Sequence, residues 1–267
     1  MRKALMLLAA LALVAGCATS PTGRSQIRLY SNAQMDSMGT ASFEEMKQKN
    51  KVSQDPQAND YVDCVGHAIT RVVDPKTDWE VVLFKDDAAN AFALPGGKIG
   101  VYTGLLDVAQ NQSQLAAVLG HEVGHVEAQH ANARLSAAAV TQAGVTALQI
   151  LVGASDSQRK AEVMALLGVG AQVGILLPYS RSQESEADRL GLDYMARAGF
   201  DPHASVQLWK NMEKQGGGQP PEFLSTHPSH GTRIRDLERR MPRAERLYQQ
   251  ARARGRTPDC GPAPSTG

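Results

Sequence analysis

The sequence carries almost no net charge: 28 lysines and arginines stand against 27 aspartates and glutamates in 267 residues. It also has no long basic stripe. Phosphate binding needs clustered Lys and Arg, so nucleic acid is excluded as a main partner. The Arg-rich tail over residues 239–256 is interrupted by Glu and Gln and reads as a solvated helix face. No internal repeat is evident, and strand-forming sequence is scarce. Cysteine is rare, with three residues in all. What is present is length and apolar content, 42% of the chain, enough for one sizeable core with helical additions.

The first apolar run, residues 4–15 behind Arg2 and Lys3, is too short to span a bilayer and reads as a secretory signal. It ends in Val14-Ala15-Gly16-Cys17, which resembles a bacterial lipobox. That resemblance implies a signal peptide over residues 1–16 and lipidation of Cys17. Ala18, in place of Asp, points to the outer membrane of a diderm bacterium, facing the periplasm. Residues 17–28 then read as a polar tether and 29–267 as the folded domain. The signal sends Cys64 and Cys260 to an oxidising compartment, where they are expected to pair. Closing so long a loop is worth roughly 4 to 5 kcal/mol in the chain-entropy model.

Helices are expected over residues 32–49 and 57–73, the second opening behind Asp55-Pro56. The strand-like segments are 79–84 and then 91–94 and 98–102, the last two flanking the turn signal Pro95-Gly96-Gly97. Residues 113–135 carry Leu115, Val118, Leu119, Val123 and Val126 at amphipathic spacing and read as one helix. Two nearly uncharged stretches, 136–153 and 163–178, read as a packed helical hairpin, with a membrane-dipping pair as the rival. Further helices are expected over 184–198, from Pro202 to 214 with a break at Gly216-Gly217-Gly218, and from about 232 onward. The fold class is therefore α+β, mostly helical, with a small sheet.

The chemistry centres on His121-Glu122-Val123-Gly124-His125, an HExxH pattern. On a helix the two histidines stand at i and i+4, so both imidazoles reach one face and can share one zinc ion, with Glu122 beside the water. A third protein ligand is needed. His130, five residues past His125, points off that face of a continuous helix and reads as a surface residue. The metzincin pattern fails at Ala128 and Ala131. Glu184 is the better candidate, because Asp188 follows it at i+4 and can hold a ligand histidine by its other ring nitrogen. Spacing alone leaves Glu186 as an alternative.

HExxH, then Ser180-Arg181-Ser182-Gln183-Glu184-Ser185-Glu186-Ala187-Asp188, then Thr226-His227-Pro228 with Arg233, resembles the CAAX prenyl protease and HtpX-like family of zinc metallopeptidases. The likeness is to its soluble, lipoprotein-type bacterial branch and extends from about Asn90 to Arg235. It implies a gluzincin-type zincin fold, one zinc ion per chain and Glu184 as third ligand with Asp188 as its helix-mate. Polypeptide substrates, misfolded or assembling envelope proteins, are implied as partners.

His227 is expected either to reach the fourth zinc position or to stabilise an oxyanion, with helix capping as the structural alternative. Asn90, Ala91, Phe92 and Ala93 are expected to offer a strand edge to a substrate peptide. Arg233 is expected either to orient substrate or to brace nearby carboxylates. The rival function is a latent or non-catalytic, chaperone-like envelope assembly factor.

Overall fold

Two adjacent glycines set the geometry of the turn between two strands of the small sheet. Gly96 and Gly97 both adopt positive φ, +83° and +74°, which L side chains resist, and so fold strand β4 (Ala91–Leu94) back onto β5 (Lys98–Tyr102). In the computed structural model, which describes residues 17–73, 77–151, 179–215, 223–224, 227 and 231–264, β5 also pairs in parallel with β3 (Glu80–Phe84). The order β3-β5-β4 leaves β4 at an edge. Alternation splits its side chains between two cores. Phe92 and Leu94 join Phe43 and Phe84 on one face, while Ala91 and Ala93 join the main core on the other.

Helices cover the rest. α1 (Asn32–Lys49) opens with a reciprocal capping box between Ser31 and Gln34, and α2 (Pro56–Thr70) with an Asp55 cap and Pro56 in its first turn. A one-turn α3 (Thr103–Leu106) follows β5, and then α4 (Gln112–Glu127) runs through the core beside β4. After α5 (His130–Leu151), the chain returns as α6 (Arg181–Ala198), α7 (His203–Gln215) and α8 (Arg233–Ala253). Ser180 and Gln183 form a second capping box at the start of α6, and Gly199 at φ +94° ends it. α8 lies along α6, where Arg240 and Arg243 both hold Asp193. Cys64 on α2 and Cys260 are disulfide-bonded, tying the tail to the helix as their count suggested.

The structure departs from the sequence reading in two places. Residues 17–28 are not a bare tether: β1 (Cys17–Thr19) and β2 (Ser25–Ile27) form an antiparallel hairpin. Its polar side chains find partners in the domain, as Gln26 does in donating to the Ala128 carbonyl at 2.9 Å. The helix expected over 113–135 is broken after Ala128, with Gln129 at φ +54°, so α4 and α5 are separate elements. Among the described residues no helix is long and apolar enough to cross a membrane. The expected signal peptide, the 163–178 half of the uncharged hairpin, the glycine break at 216–218 and the neighbours of His227 lie outside the described residues.

α4 and α6 pack with small residues facing. A Cβ on Gly120 would stand 2.8 Å from the Gly191 carbonyl oxygen, and one on Gly191 would stand 2.6 Å from the His121 amide nitrogen. Both obstacles are backbone, so a side chain there must push the helices apart. Gly191→Ala is therefore expected to destabilise the fold by about 1–3 kcal/mol, measured by denaturant unfolding, and to weaken metal binding in parallel.

Candidate active site

The close helix contact places the chemistry-bearing residues of α4 directly against those of α6. His121, Glu122 and His125 are all at most 2% exposed, and Glu184 is fully buried opposite them. His227 comes in between. Its Nδ1 lies 3.2 Å from His121 Nε2 and 3.1 Å from Glu184 Oε1, while His125 Nε2 lies 3.1 Å from His121 Nε2. His125 Nε2 lies 3.3 Å from Glu184 Oε1, and His121 Nε2 lies 3.5 Å from Glu184 Oε2.

These spacings test whether a metal fits. Ligand atoms at roughly 2.0–2.1 Å from a tetrahedral zinc ion are about 3.3 Å apart. The distances just given, 3.1–3.5 Å, bracket that value, and the donors of His121, His125, Glu184 and His227, three imidazole nitrogens and one carboxylate, all lie within 4.8 Å of one another. Glu122 stays outside the group: its Oε1 makes no hydrogen bond and sits 3.5 Å from His227 Nε2. A buried carboxylate oxygen left without a partner beside a nitrogen-rich donor set is what a water-activating base requires.

The donors are held from behind. His121 Nδ1 meets Asp188 Oδ1 at 2.8 Å, and Arg233 donates from Nε to Asp188 Oδ2 at 2.7 Å and from Nη2 to Glu184. Arg233 is 1% exposed and its guanidinium stacks on Trp209 at 3.9 Å. These contacts set it against the two carboxylates of α6. Burial opposes a charge on His121, but Glu184 and Asp188 outweigh it and push the imidazole up to about 10. Burial would raise Asp188 too, yet Arg233 and His121 hold it below the usual carboxylate range. Glu122 goes the other way, raised by burial, with His227, His121 and a backbone hydrogen bond from Ala93 only partly opposing. His125 is driven well below its ordinary value by burial.

His130 contradicts its reading as a surface residue. It is fully buried, its Nδ1 2.9 Å from His125 Nδ1 and its Nε2 3.1 Å from Glu186 Oε2. The surface reading assumed a continuous helix, and the break at Gln129 turns the residue inward. Glu186, the alternative ligand, faces away from the donor group, where Thr22 and Arg24 hold it. Tyr179, absent from the sequence reading, lies over His125 with ring centroids 3.8 Å apart.

At the strand edge, Asn90 accepts from the Tyr102 amide at 3.0 Å. In that register the backbone groups of Ala91 and Ala93 point away from β5 toward the open side. A cavity of about 410 Å³ begins there, lined by Ala93, Pro95, Gly96, His125, Asn132 and Tyr179 among others.

An HExxH helix crossed by a second helix that brings a glutamate to the same point is the arrangement of a gluzincin-type zinc metallopeptidase. The family comparison agrees at finer grain. Residues 56–241 match the model of peptidase family M48, and the chain belongs to that family of zinc-dependent enzymes. It is similar to mitochondrial metalloendopeptidase OMA1 of Schizosaccharomyces pombe, 40% identical over 169 residues that cover 62% of this chain and 48% of that one. A putative beta-barrel assembly-enhancing protease of Vibrio cholerae is 33% identical over 232 residues, 81% of this chain and 47% of the relative. The beta-barrel assembly-enhancing protease of Escherichia coli K12 is 29% identical over 221 residues, 80% and 45%. The chain thus spans about half the length of the curated relatives it matches.

A raised His121 means that the metal-free protein keeps a proton on this ring until pH nears about 10. Zinc must displace that proton, so competition fades as pH rises. Apparent zinc affinity is expected to increase about tenfold per pH unit between roughly pH 7 and 9, measured by chelator competition. A flat profile would mean that His121 is already neutral.

Proposed function

We propose that this protein is a zinc metalloendopeptidase of the bacterial cell envelope that cuts polypeptides internally. The observation that carries the reading is the buried donor group of two HExxH histidines and Glu184, with the Glu122 carboxylate beside it and outside it. His121, His125 and Glu184 hold the metal, and Asp188 fixes the tautomer of His121. When bound, zinc polarises the scissile carbonyl and lowers the pKa of a water molecule. Glu122 takes the proton from the attacking water and delivers it to the leaving amine. A substrate peptide lies along the open edge of β4, where the outward backbone groups of Ala91 and the carbonyl of Ala93 align it.

His227 fills the fourth donor position of the group, and we read that as a resting, closed state. This reading also accommodates the alternative of a latent or chaperone-like assembly factor, in which the site opens rarely. A place in envelope protein quality control, with misfolded or assembling proteins as substrates, rests on the two beta-barrel assembly-enhancing relatives. It also rests on the lipobox-like Cys17, which would anchor the chain to the outer membrane facing the periplasm. The finer assignment, to the soluble lipoprotein-type branch with CAAX protease and HtpX-like relationships, rests on the motif pattern.

Zinc content and casein cleavage of the full chain test the proposal. Wild type should hold about one zinc. Glu122→Gln should keep it while losing about 10²–10⁴-fold in cleavage, and Glu184→Ala should bind it weakly. Higher cleavage in His227→Ala with zinc retained would mark a closed resting site; lower cleavage would mark an oxyanion role. A folded wild-type chain that takes up no zinc would overturn the metallopeptidase reading.

A further inference from the structure

Each HExxH histidine is backed on the ring nitrogen that faces away from the donor group, but by different means. His121 meets a carboxylate directly. His125 meets His130, and His130 meets a carboxylate, Glu186. Among the groups that close on Glu186 are Thr22 Oγ1 at 2.6 Å, the Thr22 amide at 3.3 Å and Arg24 Nε at 2.9 Å. All three come from the turn of the hairpin formed by β1 and β2, the segment that follows Cys17. The hairpin also grips the helix break that points His130 inward, through Gln26 on the Ala128 carbonyl.

Resting on the metallopeptidase reading above, we infer that His130 and Glu186 are positioning residues for His125, and that the N-terminal hairpin completes the metal site through Thr22 and Arg24. Hydrogen-bond polarity gives the chain one consistent direction. If His125 Nε2 serves the metal, its Nδ1 carries the hydrogen and donates to His130 Nδ1. His130 Nε2 then carries its own hydrogen and donates to Glu186, which accepts at both oxygens. A packing role alone accounts poorly for this arrangement. A buried carboxylate held by a guanidinium gains little over apolar side chains of the same volume, yet here the charge stands at the end of a hydrogen-bonded path to a ligand nitrogen. The same device serves the other histidine, where Asp188 is held by Arg233.

The test uses the full chain, stripped of metal and titrated with zinc against a chelator of known affinity. His130→Ala, Glu186→Gln and Arg24→Ala should each bind zinc about 10–100-fold more weakly. Glu186→Asp and Arg24→Lys, which keep the charges, should recover most of the loss. In the cobalt-substituted protein, His130→Ala and Glu186→Gln should shift the visible absorption bands, which report the ligand field itself. Wild-type zinc affinity and unshifted bands in folded His130→Ala and Glu186→Gln would overturn the inference. Should those two fail to fold, Arg24→Ala decides, since that side chain is already 27% exposed: unchanged zinc affinity there overturns the hairpin's role, and weaker binding rescued by Arg24→Lys supports it. A wild-type chain that binds no zinc would overturn the metallopeptidase reading as well, whereas zinc-binding wild type with indifferent variants overturns this inference alone.

Discussion

The contact between α4 and α6 is the constraint on which the site depends. Gly120 and Gly191 let the two backbones approach until a single methyl group would collide with a carbonyl oxygen or an amide. At that distance, side chains of moderate length from two helices converge on one point. His121 and His125 reach it from one side and Glu184 from the other, with donor separations near 3 Å. Wider helices would leave the imidazoles facing a carboxylate across a gap that neither could close. The small sheet lies on the flank of α4, so that Ala93 of the β4 edge and His125 of the donor group line a common cavity.

Close packing creates an electrostatic problem, because it buries carboxylates where water cannot solvate them. The fold answers with two cations on separate elements. Arg233, from α8, lies against Glu184 and Asp188; Arg24, from the N-terminal hairpin, lies against Glu186. Leaving a buried carboxylate without its partner typically costs about 3–5 kcal/mol. The charge pairs also fix orientation, since planar guanidinium and carboxylate groups engage in few geometries. Glu122 alone among the central carboxylates has no arginine on it, which keeps its oxygen available and its affinity for a proton raised by burial.

Legibility in the sequence followed the range of the interactions. The i, i+4 relation of His121 to His125 and of Glu184 to Asp188 is local helix geometry, and both pairs stand where that spacing put them. The β4–β5 turn was legible because two glycines announce it, and the Cys64–Cys260 bridge because two cysteines remained after Cys17. What escaped was determined by distant partners. The left-handed Gln129 leaves no compositional mark, since glycine or asparagine is the usual occupant, and without that break His130 is assigned to the wrong face. Residues 17–28 look like a linker because their short polar strands bury little apolar surface; their order comes from Glu186 and Ala128, more than a hundred positions away. For Arg233, the partners it meets depend on which side of α6 faces α8, and no pattern within α8 encodes that.

The bridge between Cys64 and Cys260 spans 196 positions and encloses every residue of the metal site that lies on α4, α6 and α8. A peptide bond cut at any single point inside that interval would leave both pieces covalently joined. The bridge thereby separates backbone scission from dissociation. A nicked chain would migrate as one species until reduced, with its metal donors still tethered to a single covalent frame.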